Sequence, residues 1–360
     1  MPRFNAKTIC LVRPSAIGDT VHALGLVNGL REGYPEAHIT WVLQPISAEM
    51  FRYQPSVNRF ITYNRKGRAK EWLDLFRRLR KEHYDLAIIP QASGKTSLIT
   101  AMLNARIKIG FDWNRCRDMH WLVTNHHIPP RPMGHVQNQF LEFLEYIGIS
   151  GYKANWNFQF TKTEMDWQRS FFDKIKSPII GFIIATAHPE KEWPPDRYAA
   201  VIDYTVQKYG ITPVLIGGPG PRERTIADKI RGLCRFTPVV SLKTPIRKTM
   251  LQLAGCRLVV SPDTGPLHIA VAMGTPVVGL YGYTDPRRCG PYKKFRDLLI
   301  DKYNDAGEKN TPVTRKTKPG RMERITVDEV IEKIDLGLKS YNDDYRNISC
   351  ISNRVGQSFL

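Results

Sequence analysis

The sequence predicts an α/β protein built from two successive doubly wound parallel sheets. Strand and helix patterns alternate through the first half of the chain. They alternate again after a polar connector at about 150–177. Some strand candidates, 86–90 above all, are almost wholly apolar, as a sheet covered on both faces requires. At 360 residues the chain exceeds what one core usually holds, so two domains are the default.

In the first half, 8–12 reads as a strand, 20–32 as a helix, and 38–43 and 60–63 as strands. An amphipathic helix follows at 71–81, strands at 86–90 and 107–111, and a helix at 136–147. After the connector, strands are expected at 179–185, 213–216, 239–242, 258–261 and 277–281. Helices fall between them at 197–208, 224–233, 247–254 and 265–273. The stretch 304–324, rich in Lys, Arg, Thr and Pro, reads as a mobile loop. Thr326 and Glu329 form a capping-box pattern for a last helix at 327–338. The expected organisation is an N-terminal domain at 1–155, a linker at 156–176, a second domain at 177–325, a helix at 326–340 and a tail at 341–360. Ligands of such sheets bind at the carboxyl ends of strands, which points to a cleft where the two domains face each other.

No apolar run approaches the roughly 18–20 residues of a spanning helix. The N-terminus lacks the pattern of a signal peptide, and a cytoplasmic protein is expected. Six scattered cysteines (Cys10, Cys116, Cys234, Cys256, Cys289, Cys350) without a CxxC pair fit free thiols better than a zinc site or a disulfide framework. The 53 Lys and Arg against 34 Asp and Glu give a formal charge of +19, which implies an anionic partner: nucleic acid, an acidic membrane face or a phosphorylated substrate.

Three turns at strand ends carry the candidate chemistry. RPSAIGD (13–19) follows the first strand. There Asp19 either caps the next helix or serves as a general base. ATAHPEKEWP (185–194) follows the first strand of the second half, where Lys191 is either an exposed lysine or a point charge for a diphosphate. SPDTGPLHIA (261–270) opens a helix with Pro266 in its first turn, where a missing N–H costs nothing. The free N–H groups and positive dipole end of that helix suit a phosphate. Asp263 and Thr264 are also ordinary capping residues, and His268 is otherwise a structural histidine. The basic run Arg65, Lys66, Arg68, Lys70 is a solvated loop or a phosphate clamp, which Lys95, Arg115 and Arg117 would extend. SGKT (93–96) is not a P-loop, because Ile89 stands where the earlier glycine is required. No dinucleotide fingerprint, nucleophile elbow or Asp-x-Asp metal motif is present, so no metal is expected.

Together these motifs resemble the ADP-heptose:lipopolysaccharide heptosyltransferases, from about residue 9 to residue 338. RPSAIGD, EKEWP (190–194), SPDTGPLHIA and GTPVVGLYGYTDP (274–286) carry the resemblance, with support from KIGFDW (108–113) and HVQNQFLEFLEYIG (135–148). Within the family, the chain resembles the member adding the first heptose of the inner core. The resemblance implies a GT-B fold and an inverting, metal-independent transfer with no cofactor. The implied donor is ADP-L-glycero-β-D-manno-heptose and the implied acceptor is Kdo-lipid A. It also implies peripheral contact with the anionic inner face of the inner membrane.

By resemblance, Asp19 matches the catalytic base. Thr186, Lys191, Asp263, Thr264, Gly265 and His268 match donor contacts. Ser15, Arg65, Lys66, Arg68, Lys70, Lys95 and Arg117 fall on the acceptor side. Glu223 is included as a donor contact, although Arg222 occupies the place where some relatives carry a ribose-binding glutamate and Glu223 follows it. Two further departures are Thr244, where some relatives have methionine, and Ala16, where others have serine. The competing readings are another nucleotide-sugar enzyme on the same architecture, transferase or epimerase, and a basic nucleic-acid-binding module. The basic residues sit in separate loops rather than in a stripe interleaved with aromatics, so no nucleic-acid partner is expected.

Overall fold

The computed structural model describes residues 4–64, 67–175, 177–308 and 310–341. Arg65, Lys66, Cys350 and the expected tail beyond Tyr341 lie outside the described residues. The chain divides into two units, Met1–Phe158 and Gln159–Leu360.

The first unit contains β1 (Thr8–Val12), α1 (Ile17–Gly33), β2 (His38–Leu43), α2 (Pro45–Met50), β3 (Arg59–Thr62) and α3 (Ala69–Lys81). It continues with β4 (Tyr84–Ile88), α4 (Gly94–Met102), β5 (Ala105–Gly110), β6 (His126–His127) and α5 (Val136–Tyr146). All strands pair in parallel, in the order β3-β2-β1-β4-β5-β6. The order reverses between β1 and β4, which makes that crevice the switch point of the sheet.

Helix α1 is buried almost throughout, from Gly18 to Leu30. It lies so close to α5 that a Cβ on Gly29 would come within 2.3 Å of the Leu144 side chain. Glycine there lets the two helices approach. On the other side of the sheet, Leu75 and Leu79 of α3 and Ile99 of α4 pack with Cys10, Val12 and Ala87.

The second unit contains α6 (Lys162–Asp173), β7 (Ile179–Ile183), α7 (Pro195–Tyr209), β8 (Thr212–Gly217), α8 (Pro221–Leu233), β9 (Val239–Leu242) and α9 (Ile246–Gly255). Then come β10 (Leu258–Pro262), α10 (Gly265–Met273), β11 (Val277–Tyr281), α11 (Pro286–Cys289), β12 (Leu299–Asp301) and α12 (Val327–Ser340). Its parallel sheet runs β12-β11-β10-β7-β8-β9, so its switch point lies between β7 and β10. The central strands β7, β10 and β11 are buried at every position.

Two sequence expectations change here. The segment expected as a linker, 156–176, contains α6, whose capping box joins Thr161 to Glu164. Glu164 also pairs with Arg247 of α9. Burial works to raise the Glu164 carboxyl, but the Arg247 and Thr161 hydrogen bonds prevail and hold it at about 2. A polar, charge-rich stretch hid a helix that buries Met165 and Gln168 and packs Phe172 against Gly255 of α9.

The expected mobile loop at 304–324 is tied down. Arg321 pairs with Asp305, Lys318 pairs with Glu308, and Met322 is buried in the core of the unit. A Cβ on Gly282 would meet the Arg321 backbone at 2.6 Å, so glycine permits that close approach. The capping box predicted for the last helix is present, between Thr326 and Glu329. Among the described residues no disulfide forms and no helix is long and apolar enough to cross a membrane.

Candidate active site at two sheet edges

In the first unit, charge gathers at the switch point. Arg13 extends β1 by one residue and is only 8% exposed. Its Nη1 donates to the Pro90 carbonyl beyond β4 at 3.0 Å, and its guanidinium lies over the Phe140 ring. Its Nη2 meets Asp19 Oδ2 at 2.6 Å. The Ala16 N–H donates to the same oxygen, so Asp19 does close the first turn of α1. Both contacts fall on Oδ2. Among the described residues Oδ1 takes no hydrogen bond, and the side chain is 31% exposed. The capping and chemical readings of Asp19 are therefore compatible: one oxygen anchors the carboxylate and the other is presented.

The acceptor-side candidates occupy the same carboxyl edge. Ser15 is half-buried in the turn between β1 and α1, whose Ser15–Ala16 peptide is cis. Arg68 and Lys70 are exposed at the start of α3, two strands from β1. Lys95 is exposed in the first turn of α4, and Arg117 is exposed in the loop after β5. That loop is fastened to α4, because the Gly94 N–H donates to Asp118 Oδ2 at 2.9 Å. Arg115 does not extend the basic patch. It is 2% exposed and is held by Asp112 and Glu142, which makes it structural.

In the second unit the switch point is again charged. After β7 the chain makes a 3-10 turn, Pro189–Lys191. Buried Trp193 anchors this turn by donating to the Ile325 carbonyl at 3.0 Å and packing edge-on against Tyr198. Lys191 Nζ thereby reaches Asp263 Oδ2, just beyond β10, at 2.7 Å. Thr284, after β11, donates to the same oxygen at 2.7 Å, and His268 Nε2 stands 3.4 Å from Oδ1. Burial alone would raise the Asp263 carboxyl, but the His268 contact and the Lys191 charge outweigh it and hold the group well below the usual carboxylate range. Burial first, and then the Asp263 charge, push the neighbouring Cys289 thiol up, so it is an inert thiol at neutral pH.

Thr264 takes the N-cap position of α10, but its side chain makes no capping bond, and Gly265 is the first helical residue. The opening of this helix thus carries backbone N–H groups not capped by that side chain. Thr186 is buried and folded on itself: its hydroxyl donates to the His188 carbonyl and accepts from the His188 N–H. Its own N–H donates to Glu192, which Arg222 also pairs with at 2.8 Å. Glu223 curls back over the turn before α8, where a Cβ on Gly220 would lie 2.2 Å from its carboxylate.

Arg13, Glu192 and Thr284 were not singled out by sequence reasoning. Arg13 had a signal, since a charged residue continuing an apolar central strand must find a partner. Thr284 had none, as it lies 21 residues from Asp263. Among the described residues no group of three or more His, Cys, Asp or Glu side chains is placed to hold a metal ion.

The family model described as glycosyltransferase family 9 (heptosyltransferase) matches residues 72–316. The lipopolysaccharide core heptosyltransferase OpsX of Haemophilus influenzae is 31% identical over 86% of this chain and 89% of its own. The glycosyltransferase family 9 structure from Veillonella parvula superposes with a TM-score of 0.80 at 22% identity, covering 92% of this chain and 97% of that one. The E. coli heptosyltransferase WaaC with ADP superposes with a TM-score of 0.70 at 22% identity, covering 92% and 99%. Both superpositions bear out the expected two-sheet fold.

Proposed function

The chain belongs to glycosyltransferase family 9, the heptosyltransferases, and from that premise we propose that it transfers L-glycero-D-manno-heptose from ADP-heptose to Kdo of the lipopolysaccharide inner core. The observation that carries the chemistry is the Lys191–Asp263 pair at the switch point of the second sheet, beside the opening of α10. That place collects a compact positive charge, a carboxylate able to hold sugar hydroxyls, and backbone N–H groups. A sugar diphosphate needs those three things.

In the proposed reaction Asp19 is the general base. Its Oδ2 is held by Arg13 and the Ala16 N–H, and Oδ1 accepts the proton of the attacking Kdo hydroxyl. The hydroxyl oxygen attacks the anomeric carbon from the face opposite the diphosphate, so configuration inverts. The departing ADP gains negative charge. Lys191, exchanging Asp263 for the diphosphate, and the N–H groups at Thr264 and Gly265 stabilise it. No metal enters this scheme, because the lysine supplies the positive charge. The similarity to a lipopolysaccharide core heptosyltransferase supports the acceptor class. Ser15, Arg68, Lys70, Lys95 and Arg117, with Arg65 and Lys66, are assigned to the acceptor's carboxylates and phosphates. The site of action is the cytoplasmic face of the inner membrane, by peripheral contact.

The test is a transfer assay with ADP-heptose on two lipopolysaccharides, one lacking all heptose and one carrying the first. A mass gain of one heptose on the first substrate alone is expected. A gain only on the second would make this a later heptosyltransferase. A gain only with another nucleotide sugar would overturn the donor.

A further inference from the structure

Thirteen large apolar side chains are exposed among the described residues, and seven of them fall in 73–122. The helices and the loop of this segment are neighbours in the first unit. Helix α3 packs beside α4, and α4 packs beside the 3-10 turn His120–Val123. Leu73 and Phe76 are exposed on α3, and Leu98 on α4. The loop after β5 adds Met119 and Leu122 at 63% and 56% exposure. It also adds Trp113, which is 67% exposed and lies against Trp121 with ring centroids 4.8 Å apart and the rings tilted by 43°. Hydrogen bonds hold this loop in place: Ser97 of α4 bonds His120, and Gly94 bonds Asp118.

Cations are interleaved with the apolar side chains. Arg77 and Arg80 stand on α3, Arg80 over the Phe76 ring, while Lys95 is exposed in the first turn of α4 and Arg117 is exposed in the loop between the two tryptophans. Isolated exposed apolar residues need no explanation, but a cluster of this kind does. An amphipathic basic helix beside exposed tryptophans has the chemistry of a membrane–water interface, where indole rings sit at headgroup level and Lys and Arg meet anionic lipid. We infer that the α3–α4 pair with its Trp113–Trp121 loop docks the protein on an anionic phospholipid bilayer.

The formal charge of +19 complements that surface. A second copy of the chain, equally cationic, does not. The docking face borders the carboxyl edge that bears Lys95 and Arg117, so an acceptor anchored by acyl chains would be delivered to that edge. This inference deepens the proposed membrane contact but does not depend on heptosyl transfer.

The test is co-flotation of the full chain with phosphatidylglycerol–phosphatidylcholine vesicles and with phosphatidylcholine vesicles. Binding to the anionic vesicles alone is expected, weakening with salt. The pair Trp113→Ser with Leu122→Ser should lower the partition coefficient at least ten-fold. Arg77→Gln with Arg80→Gln should lower it roughly ten- to thirty-fold. Leu233→Ser with Phe236→Ser, on the second unit, should leave it unchanged. The far-UV circular dichroism spectrum and melting temperature, which need no lipid, should stay close to wild type in every variant and so report intact folding of both units. The inference is overturned if anionic vesicles float no protein. It is equally overturned if the first-unit variants float as well as wild type, or if sedimentation shows a dimer that Trp113→Ser dissolves.

Discussion

Replacing Asp263 with asparagine keeps its shape and removes its charge. The carboxylate is 9% exposed, accepts from Lys191 and Thr284 at 2.7 Å each, and stands 3.4 Å from His268. Removing one partner of a buried ion pair leaves the other charge uncompensated, at a cost of roughly 3–5 kcal/mol. The Lys191 side chain is 17% exposed and flexible, so it recovers part of its hydration. The net loss should be about 2–4 kcal/mol, or roughly 5–12 °C in Tm for a unit of this size.

Calorimetry on Asp263→Asn, Lys191→Met and the double variant closes a cycle. The double variant should be more stable than the sum of the single losses requires, by at least about 1.5 kcal/mol, because it strands no charge. Titration with ADP separates the roles. Asp263→Asn should bind ADP as well as wild type or a few-fold more tightly, since Lys191 no longer has to leave a carboxylate. Lys191→Met should lose roughly ten-fold or more. Additive stabilities, or an ADP affinity indifferent to Lys191, would refute the reasoning.

Asp19→Ala should lower kcat by roughly two to four orders of magnitude while ADP affinity stays close to wild type. Wild-type turnover would leave Asp19 as a helix cap alone. Glu164→Gln tests the α6–α9 tie. The folded carboxyl, at about 2, lies below its unfolded value. Its stabilisation is therefore present above roughly pH 4.5 and is lost as pH falls toward 2. The shift corresponds to roughly 3 kcal/mol undiscounted, and solvent screening of the part-exposed pair reduces this to about 1–2 kcal/mol. Urea unfolding should show that deficit at pH 7 and near-equality with wild type at pH 2. A deficit independent of pH would assign the effect to packing.

Much of the architecture is legible along the chain because its causes are local. Strands such as β7 and β11 are apolar on both faces because parallel strands are covered twice. Glycines, prolines and capping pairs mark the turns, and the Thr326–Glu329 box forms as read. The motif RPSAIGD, the 3-10 turn with Lys191 and the opening of α10 all fall at strand ends, so the candidate residues were found by position. Helix α6 escaped because one short buried face inside a polar segment produces little periodicity. The loop at 304–324 escaped because its order comes from ion pairs and one buried methionine, Met322.

Partnership is what the chain order does not contain. Lys191 lies 72 residues from Asp263, and Arg13 lies 77 from the Pro90 carbonyl. Only parallel pairing of β7 with β10 and of β1 with β4 brings these groups to one crevice each. Residue types and their turns are set by local backbone preference and hydrophobic pattern. Which charges meet, and which arginine is structural like Arg115 rather than exposed like Arg117, is decided by burial and by long-range strand order.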